Sequence, residues 1–350
     1  MHTPLRALLP ASRALKRPPA RLAALPPRRR AFTTLPPAAP PSITHGMPDR
    51  VRIYELGPRD GLQSEQVLVS TPSKVRFIDM LSGTGVYAVE TTSFVHPKWV
   101  PQMADNAEVL RAITRRDGVE YPVLVPNLKG FERALAAGAA SVAVIGIPSE
   151  TFSRKNLNCS VEEGVQSAIA IIHRSAASGV PCRAYVSCAL GCPFEGAMDA
   201  ATVARLAARL YEAGCYEICL ADTIGCGTPR DMELLLREVL PAVPAASIAV
   251  HCHDTYGQAL ANILCALRHG VRTIDSSVAG LGGCPFAGPA ASGNVATEDV
   301  VYMLNGLGVP TGADFELLVD AGEFIIGELG RRNSSRAAVA SRKRGIKSTP

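Results

Sequence analysis

From Val51 onward the chain alternates two kinds of apolar spacing. Short runs rich in β-branched residues suit extended strands, and the longer segments between them repeat apolar residues every three or four positions, as a helix with one buried face does. The strand runs are Val51 to Leu56, Tyr87 to Thr92, Tyr121 to Pro126, Ser141 to Ile147, Pro181 to Cys188, Cys215 to Leu220, Ser247 to His253 and Thr273 to Val278. The spacing predicts helices over Ser73 to Ser82, Met103 to Thr114, Leu128 to Ala137, Val161 to Ala177, Ala200 to Ala213, Asp231 to Leu240, Gln258 to Arg268 and Thr297 to Asn305. A further helix is expected from about Asp314 to Gly330, packed on the end of the array.

Eight strand-helix units in roughly 255 residues match an α/β protein of the (β/α)8 TIM-barrel class with an added C-terminal helical segment. Each parallel strand needs a covering crossover helix, and eight such strands can close on themselves. An open doubly wound sheet would call for a Gly-rich phosphate loop after the first strand. Gly57-Pro58-Arg59-Asp60-Gly61 does not supply one. Three regions are expected: residues 1–45 as a disordered presequence, 46–330 as the barrel, and 331–350 as a basic, Ser-containing disordered tail.

Charge changes the picture at the N-terminus. Met1 to Pro48 holds eight of the 36 Lys and Arg residues and no acid, so the remainder has 28 basic against 31 acidic residues. The overall net charge of +5 is therefore no argument for nucleic-acid binding, and the body has no basic stripe with interleaved aromatics. An acid-free leader rich in Arg, Ala, Pro, Ser and Thr fits a mitochondrial transit peptide, with the matrix as destination. The ten cysteines include no C-x-x-C pair and read as free thiols in a reducing compartment. The uncharged run from Ser276 to Thr297 contains five Gly and two Pro, so it reads as a loop and not as a membrane span.

In a barrel the strand C-termini face the active site, which turns the strand map into a short roll of candidates. His251 and His253 stand two apart at the end of the seventh strand, on the face opposite Ile248, Val250 and Cys252. That is a metal-ligand spacing for two imidazoles. Asp60, after the first strand, could complete the set as a carboxylate, and Asn294 as an amide oxygen. Such a site suits Mg2+ or Mn2+, although Zn2+ also favours imidazole. Arg59 is a fixed cation either for a developing enolate or for a structural ion pair with Glu90 or Asp222. Cys284, among the glycines of Ala279 to Phe286, is either a packed thiol or an acid or nucleophile on a loop.

The segments Gly57-Pro-Arg-Asp-Gly-Leu-Gln63, Ser93-Phe-Val-His-Pro-Lys-Trp-Val-Pro-Gln-Met103, Tyr185-Val-Ser-Cys-Ala-Leu-Gly-Cys-Pro-Phe-Glu-Gly196, Ser277-Val-Ala-Gly-Leu-Gly-Gly-Cys-Pro-Phe286 and Ser292-Gly-Asn-Val-Ala-Thr-Glu-Asp299 resemble the 3-hydroxy-3-methylglutaryl-CoA lyase family. The resemblance runs from about Val51 to Gly330. It implies a metal-dependent TIM-barrel lyase that forms acetyl-CoA and acetoacetate. Matched by position, it implies Asp60, His251, His253 and Asn294 as ligands of Mg2+ or Mn2+, Arg59 on the thioester carbonyl, Cys284 as the loop acid, and Glu90 and Asp222 as supporting carboxylates. The expected partners are an acyl-CoA substrate and a second copy of the chain in a homodimer, with no nucleic acid and no membrane. Two departures stand out: the stretch from Cys284 to Asn294 is one residue longer than the family pattern, and Gln66 occupies a position where some relatives carry Lys. Claisen-type synthases of the same superfamily share the Arg-Asp-Gly and His-x-His pieces but lack the Gly-Leu-Gly-Gly-Cys-Pro loop. A catalytically silent barrel kept as a binding partner is the reading from another class.

Overall fold

A computed structural model describes residues 42–283 and 292–344. Most of the expected presequence and the loop residue Cys284 lie outside the described residues. The strands are β1 (Arg52–Glu55), β2 (Ala88–Val89), β3 (Thr92–Ser93), β4 (Val123–Leu124), β5 (Val142–Gly146), β6 (Cys182–Val186), β7 (Glu217–Asp222), β8 (Ile248–Cys252) and β9 (Thr273–Ser276). All are parallel, in the order β2-β1-β9-β8-β7-β6-β5-β4-β3. The two edge segments of that order are halves of one predicted strand. β2 pairs with β1 on one side, and β3, two residues further on, pairs with β4 on the other. Between them the Glu90 amide donates to the Glu55 carbonyl and the Thr91 amide to the Pro122 carbonyl, so the sheet closes as an eight-stranded barrel through Ala88 to Ser93.

Period-two alternation sorts the strand residues into two layers. Ile53, Val142, Val144, Ala184, Leu220, Val250 and Ile274 join the large core between barrel and helices. Tyr54, Leu124, Ala143, Tyr185, Cys219 and Ala249 point inward and form a second cluster. The inner positions also include charges. Arg183 is fully buried, bonds Glu217 Oε1 at 2.8 Å and Asp275 at 3.0 and 2.5 Å, and lies 4.0 Å from the Tyr54 ring centroid. Small residues such as Ala143 and Ala249 leave room for this layer, which ties β6, β7 and β9 together. Removing one partner of such a buried network destabilises by roughly 3–5 kcal/mol, because the other charge is left unpaired.

The outer helices are α1 (Thr71–Ser82), α2 (Asn106–Ala112), α3 (Leu128–Ala136), α4 (Glu150–Asn156), α5 (Val161–Ala177), α6 (Ala200–Glu212), α7 (Pro229–Val239), α8 (Ala259–Arg268), α9 (Thr297–Gly306), α10 (Phe315–Leu329) and α11 (Arg336–Arg344). Several begin at a side-chain cap: Ser70, Asn127, Ser149, Ser160, Asp199 and Asp314 each accept an amide of the first turn. α4 was not expected, since its Glu-Thr-Phe-Ser-Arg-Lys-Asn sequence has a single large apolar residue and carries no helical period. The expected disordered tail is likewise corrected over residues 336–344. There α11 packs against α9, Ala338 is buried, and Asp299 accepts the Ser335 hydroxyl at 2.8 Å and the Ala337 amide at 2.7 Å. A carboxylate on α9 thus serves the start of a helix whose own residues show no strong amphipathic pattern. Among the described residues no helix is long and apolar enough to cross a membrane.

Candidate active site

At the C-terminal end of β1 the backbone leaves the barrel through a wide helical turn, Gly57–Gly61, which turns Arg59 inward and brings Asp60 beside it. Arg59 is only 5% exposed. Its Nε donates to Glu90 Oε1 at 2.5 Å and its Nη1 to Asp60 Oδ1 at 2.5 Å. The open choice between Glu90 and Asp222 as its partner is settled for Glu90. The other Glu90 oxygen accepts the Tyr54 hydroxyl at 2.8 Å and the Tyr185 hydroxyl at 2.7 Å. Burial opposes the guanidinium's charge, but Glu90 and Asp60 outweigh it and hold Arg59 protonated well above its ordinary range.

The two histidines arrive as the alternation requires. Ala249 and His251 share the inward face of β8, while Val250 and Cys252 pack outward, and His253 follows at the strand end. Their ring centroids are 5.1 Å apart. One ligand atom each from Asp60, His251 and His253 lies within 4.8 Å of the others. Asn294 reaches the same place through a bridge to His253; its Nδ2 donates to Asp60 Oδ2 at 2.8 Å and to the Leu281 carbonyl at 3.0 Å. Two glycines permit that approach: a Cβ on Gly282 would stand 2.6 Å from Asn294 Nδ2, and one on Gly293 would stand 2.3 Å from the Gly282 carbonyl oxygen.

Three buried polar atoms here have no hydrogen-bond partner: Nδ1 of His251, Nδ1 of His253 and Oδ1 of Asn294. Orphaned polar atoms are costly in a protein interior, and the Asn294 oxygen is one that a cation would satisfy. His253 turns its other ring nitrogen, Nε2, to 3.8 Å from Asp60 Oδ2. The donor set of two imidazoles, one carboxylate and one amide oxygen fits a divalent metal ion. Burial pushes the Asp60 carboxyl up, but Arg59 and the two imidazoles prevail and keep it well below the usual carboxylate range, hence ionised as a ligand must be. Asp222 behaves oppositely. Burial raises its pKa despite amide bonds from Gly227 at 2.9 Å and Cys226 at 3.1 Å.

The structure therefore brings together Arg59, Asp60, Glu90, Asp222, His251, His253 and Asn294, while Cys284 lies outside the described residues. Sequence reasoning did not single out Tyr54, Tyr185 and Asp275. Tyr54 and Tyr185 hold Glu90, and Asp275 Oδ2 stands 3.7 Å from His251 Nδ1. All three occupy inward strand positions, so the alternation already marked them as facing the barrel axis.

Two further carboxylates lie just behind the site without a bonded cation. Glu55 accepts the Gly57 and Val278 amides, and Glu298 accepts the Ala279 amide at 2.9 Å. Burial pushes Glu55 up to about 7 and Glu298 up to about 8. A group whose folded-state pKa is raised stabilises below its unfolded value and loses that contribution as pH climbs through the folded one. Thermal denaturation of chelator-treated protein is thus expected to give a Tm that falls between pH 6 and 9. Glu298→Gln should flatten the upper part of that fall; an equally steep decline in the variant would assign it to other groups.

A buried donor set of this kind, at the mouth of a parallel barrel and beside a fixed arginine, defines a metal-binding (β/α)8 enzyme. Residues 50–325 match the HMGL-like family, and the chain belongs to that family. It is 56% identical over 294 residues to the mitochondrial hydroxymethylglutaryl-CoA lyase of Gallus gallus, covering 84% of this chain and 98% of that protein. It is 54% identical to the cytoplasmic 3-hydroxy-3-methylglutaryl-CoA lyase of Mus musculus, over 85% of this chain and 86% of the relative. The crystal structure of hydroxymethylglutaryl-CoA lyase from Pseudomonas aeruginosa superposes with a TM-score of 0.83 at 49% identity, covering 85% of this chain and 99% of that one.

Proposed function

We propose that this chain cleaves 3-hydroxy-3-methylglutaryl-CoA to acetyl-CoA and acetoacetate, the reaction of leucine degradation and ketone-body formation. The observation that carries the reading is Arg59, buried and held charged immediately beside the Asp60, His251, His253 and Asn294 donor set, in a chain more than half identical to lyases of that name. When bound there, a divalent ion of the Mg2+ or Mn2+ type supplies acidity to the substrate's tertiary hydroxyl. We assign the hydroxyl proton to Asp222, a buried carboxylate at the end of β7 whose backbone carbonyl accepts the His253 amide at 3.3 Å. The oxygen's electrons form the ketone of acetoacetate as the bond between the carbinol carbon and the thioester's α-carbon breaks. That bond pair moves into the thioester as an enolate, whose oxygen Arg59 meets with its guanidinium. Glu90 and its two tyrosines hold Arg59 in place for this. Cys284 then protonates the enolate carbon, a role that rests on the family loop it occupies.

The acid-free, Arg-rich leader and relatives named as mitochondrial support a place in the mitochondrial matrix, and we take the working form to be a homodimer. The test is acetoacetate release from hydroxymethylglutaryl-CoA. Protein with Mg2+ or Mn2+ is expected to turn over, and a chelator should bring the rate to background until metal is restored. Folded, metal-loaded protein that releases no acetoacetate would refute the reading.

A further inference from the structure

We infer that Glu55 is a positioning residue that locks the three backbone segments of the active site into one register, and that the metal affinity of the donor set depends on it. The inference rests on the metal-centre reading above. Glu55 is the last residue of β1 and is fully buried. Its Oε1 accepts the Gly57 amide at 2.8 Å, at the start of the turn that carries Arg59 and Asp60. The same oxygen accepts the Val278 amide at 3.0 Å, at the start of the turn leading to Leu281 and the Cys284 loop. Its Oε2 accepts the Thr297 hydroxyl at 2.5 Å, three residues beyond Asn294.

One carboxylate therefore joins the segments that deliver Asp60, Asn294 and the loop stem. Each of these segments is otherwise a turn or a helix start, where backbone groups lack regular partners. Neighbouring bonds keep the clamp itself still. The Glu55 carbonyl accepts the Glu90 amide at 2.9 Å, the Leu56 amide donates to the Ser276 carbonyl at 2.8 Å, and the Thr297 hydroxyl lies 2.9 Å from Ser276 Oγ. The site side of Glu55 is also closed: a Cβ on Gly57 would come within 2.8 Å of Oε1. The ligands that come from the turn after β1 and from the segment before α9 keep their geometry toward the histidines of β8 only if those two segments cannot slide. Supporting residues around metal ligands typically govern affinity by about 10- to 100-fold.

Glu55→Gln keeps the clamp, since its amide oxygen can accept both amides and its nitrogen can donate to Thr297. Glu55→Ala removes all three bonds. The experiment is Mn2+ titration of full-length protein followed by the electron paramagnetic resonance of free Mn2+, with circular dichroism on the same samples. We expect Glu55→Ala to weaken Mn2+ binding at least tenfold and Glu55→Gln to restore it to within about threefold of the unaltered protein. Glu55→Ala that folds and binds Mn2+ like the unaltered protein would overturn the inference. Should that variant not fold, Thr297→Val cuts one arm alone and is expected to weaken Mn2+ binding several-fold; unchanged binding there overturns it equally. If the unaltered protein binds no Mn2+, it is the metal-centre reading that fails, and the two failures are distinct.

Discussion

Arg59→Met is expected to lower kcat for hydroxymethylglutaryl-CoA cleavage by roughly a thousandfold or more while the protein stays folded and loaded with metal. Removing one preorganised donor from an oxyanion site typically costs 100- to 1000-fold in kcat. Arg59 is more than one neutral donor, since it brings a permanent charge into a buried site where only 5% of the residue meets solvent. The unpaired Glu90 carboxylate should lower the Tm, as losing one partner of a buried ion pair costs roughly 3–5 kcal/mol. Glu90 nevertheless keeps the Tyr54 and Tyr185 hydroxyls and Asp60 keeps Asn294, so the variant is expected to fold. Arg59→Lys should recover only part of the loss: a single ammonium cannot reproduce the fork that bonds Glu90 through Nε and Asp60 through Nη1. The diagnostic measurement is the exchange of acetyl-CoA methyl protons with deuterium in the absence of acetoacetate, which reports enolate formation alone. Exchange and cleavage should fall together. A variant that cleaves within tenfold of the unaltered rate would show that another group meets the enolate.

Apolar spacing carried most of the fold, because the two periods it encodes are those that strands and helices impose. The eight strand runs all became barrel strands, and α5 occupies the predicted residues Val161 to Ala177 without a shift. What the spacing could not show was the break between β2 and β3. Val89 and Thr92 sit in one continuous run, and only the neighbours on either side of the barrel decide where each half pairs. The tail helix α11 escaped because its nine residues carry no clear apolar period, although Ser335 caps the Ala338 amide; Asp299 from α9 completes that start from outside the local sequence.

The site was legible to the same limit. His251 and His253 declared their common direction through spacing, but the choice of Glu90 over Asp222 for Arg59 depends on distances across the barrel that no local pattern contains. Glu55 was invisible as anything but a strand residue. Its meaning comes from Val278 and Thr297, more than two hundred positions away.

His253→Ala tests the centre on which these readings converge, and it is expected to weaken divalent-metal binding by at least 100-fold and to lower kcat about a thousandfold even with excess metal. His253 Nε2 lies 3.8 Å from Asp60 Oδ2, and its ring is 5.1 Å from that of His251, so its loss removes a donor from the middle of the set. The stability signature is the sharper readout. In metal-free protein the imidazole is a buried group with an unpartnered Nδ1, so replacing it should cost little and leave the Tm within a few degrees. Metal at about 100 times its Kd stabilises a folded protein by about 2.7 kcal/mol, and this gain should be visible as a rise in Tm for the unaltered protein. At the same metal concentration His253→Ala should show almost none of it. A variant whose Tm still rises with Mn2+ as the parent's does, and which still releases acetoacetate at the parent's rate, would place the metal elsewhere in the barrel mouth. Loss of the metal-induced rise with the metal-free Tm preserved identifies His253 as a ligand and not as a packing residue of β8.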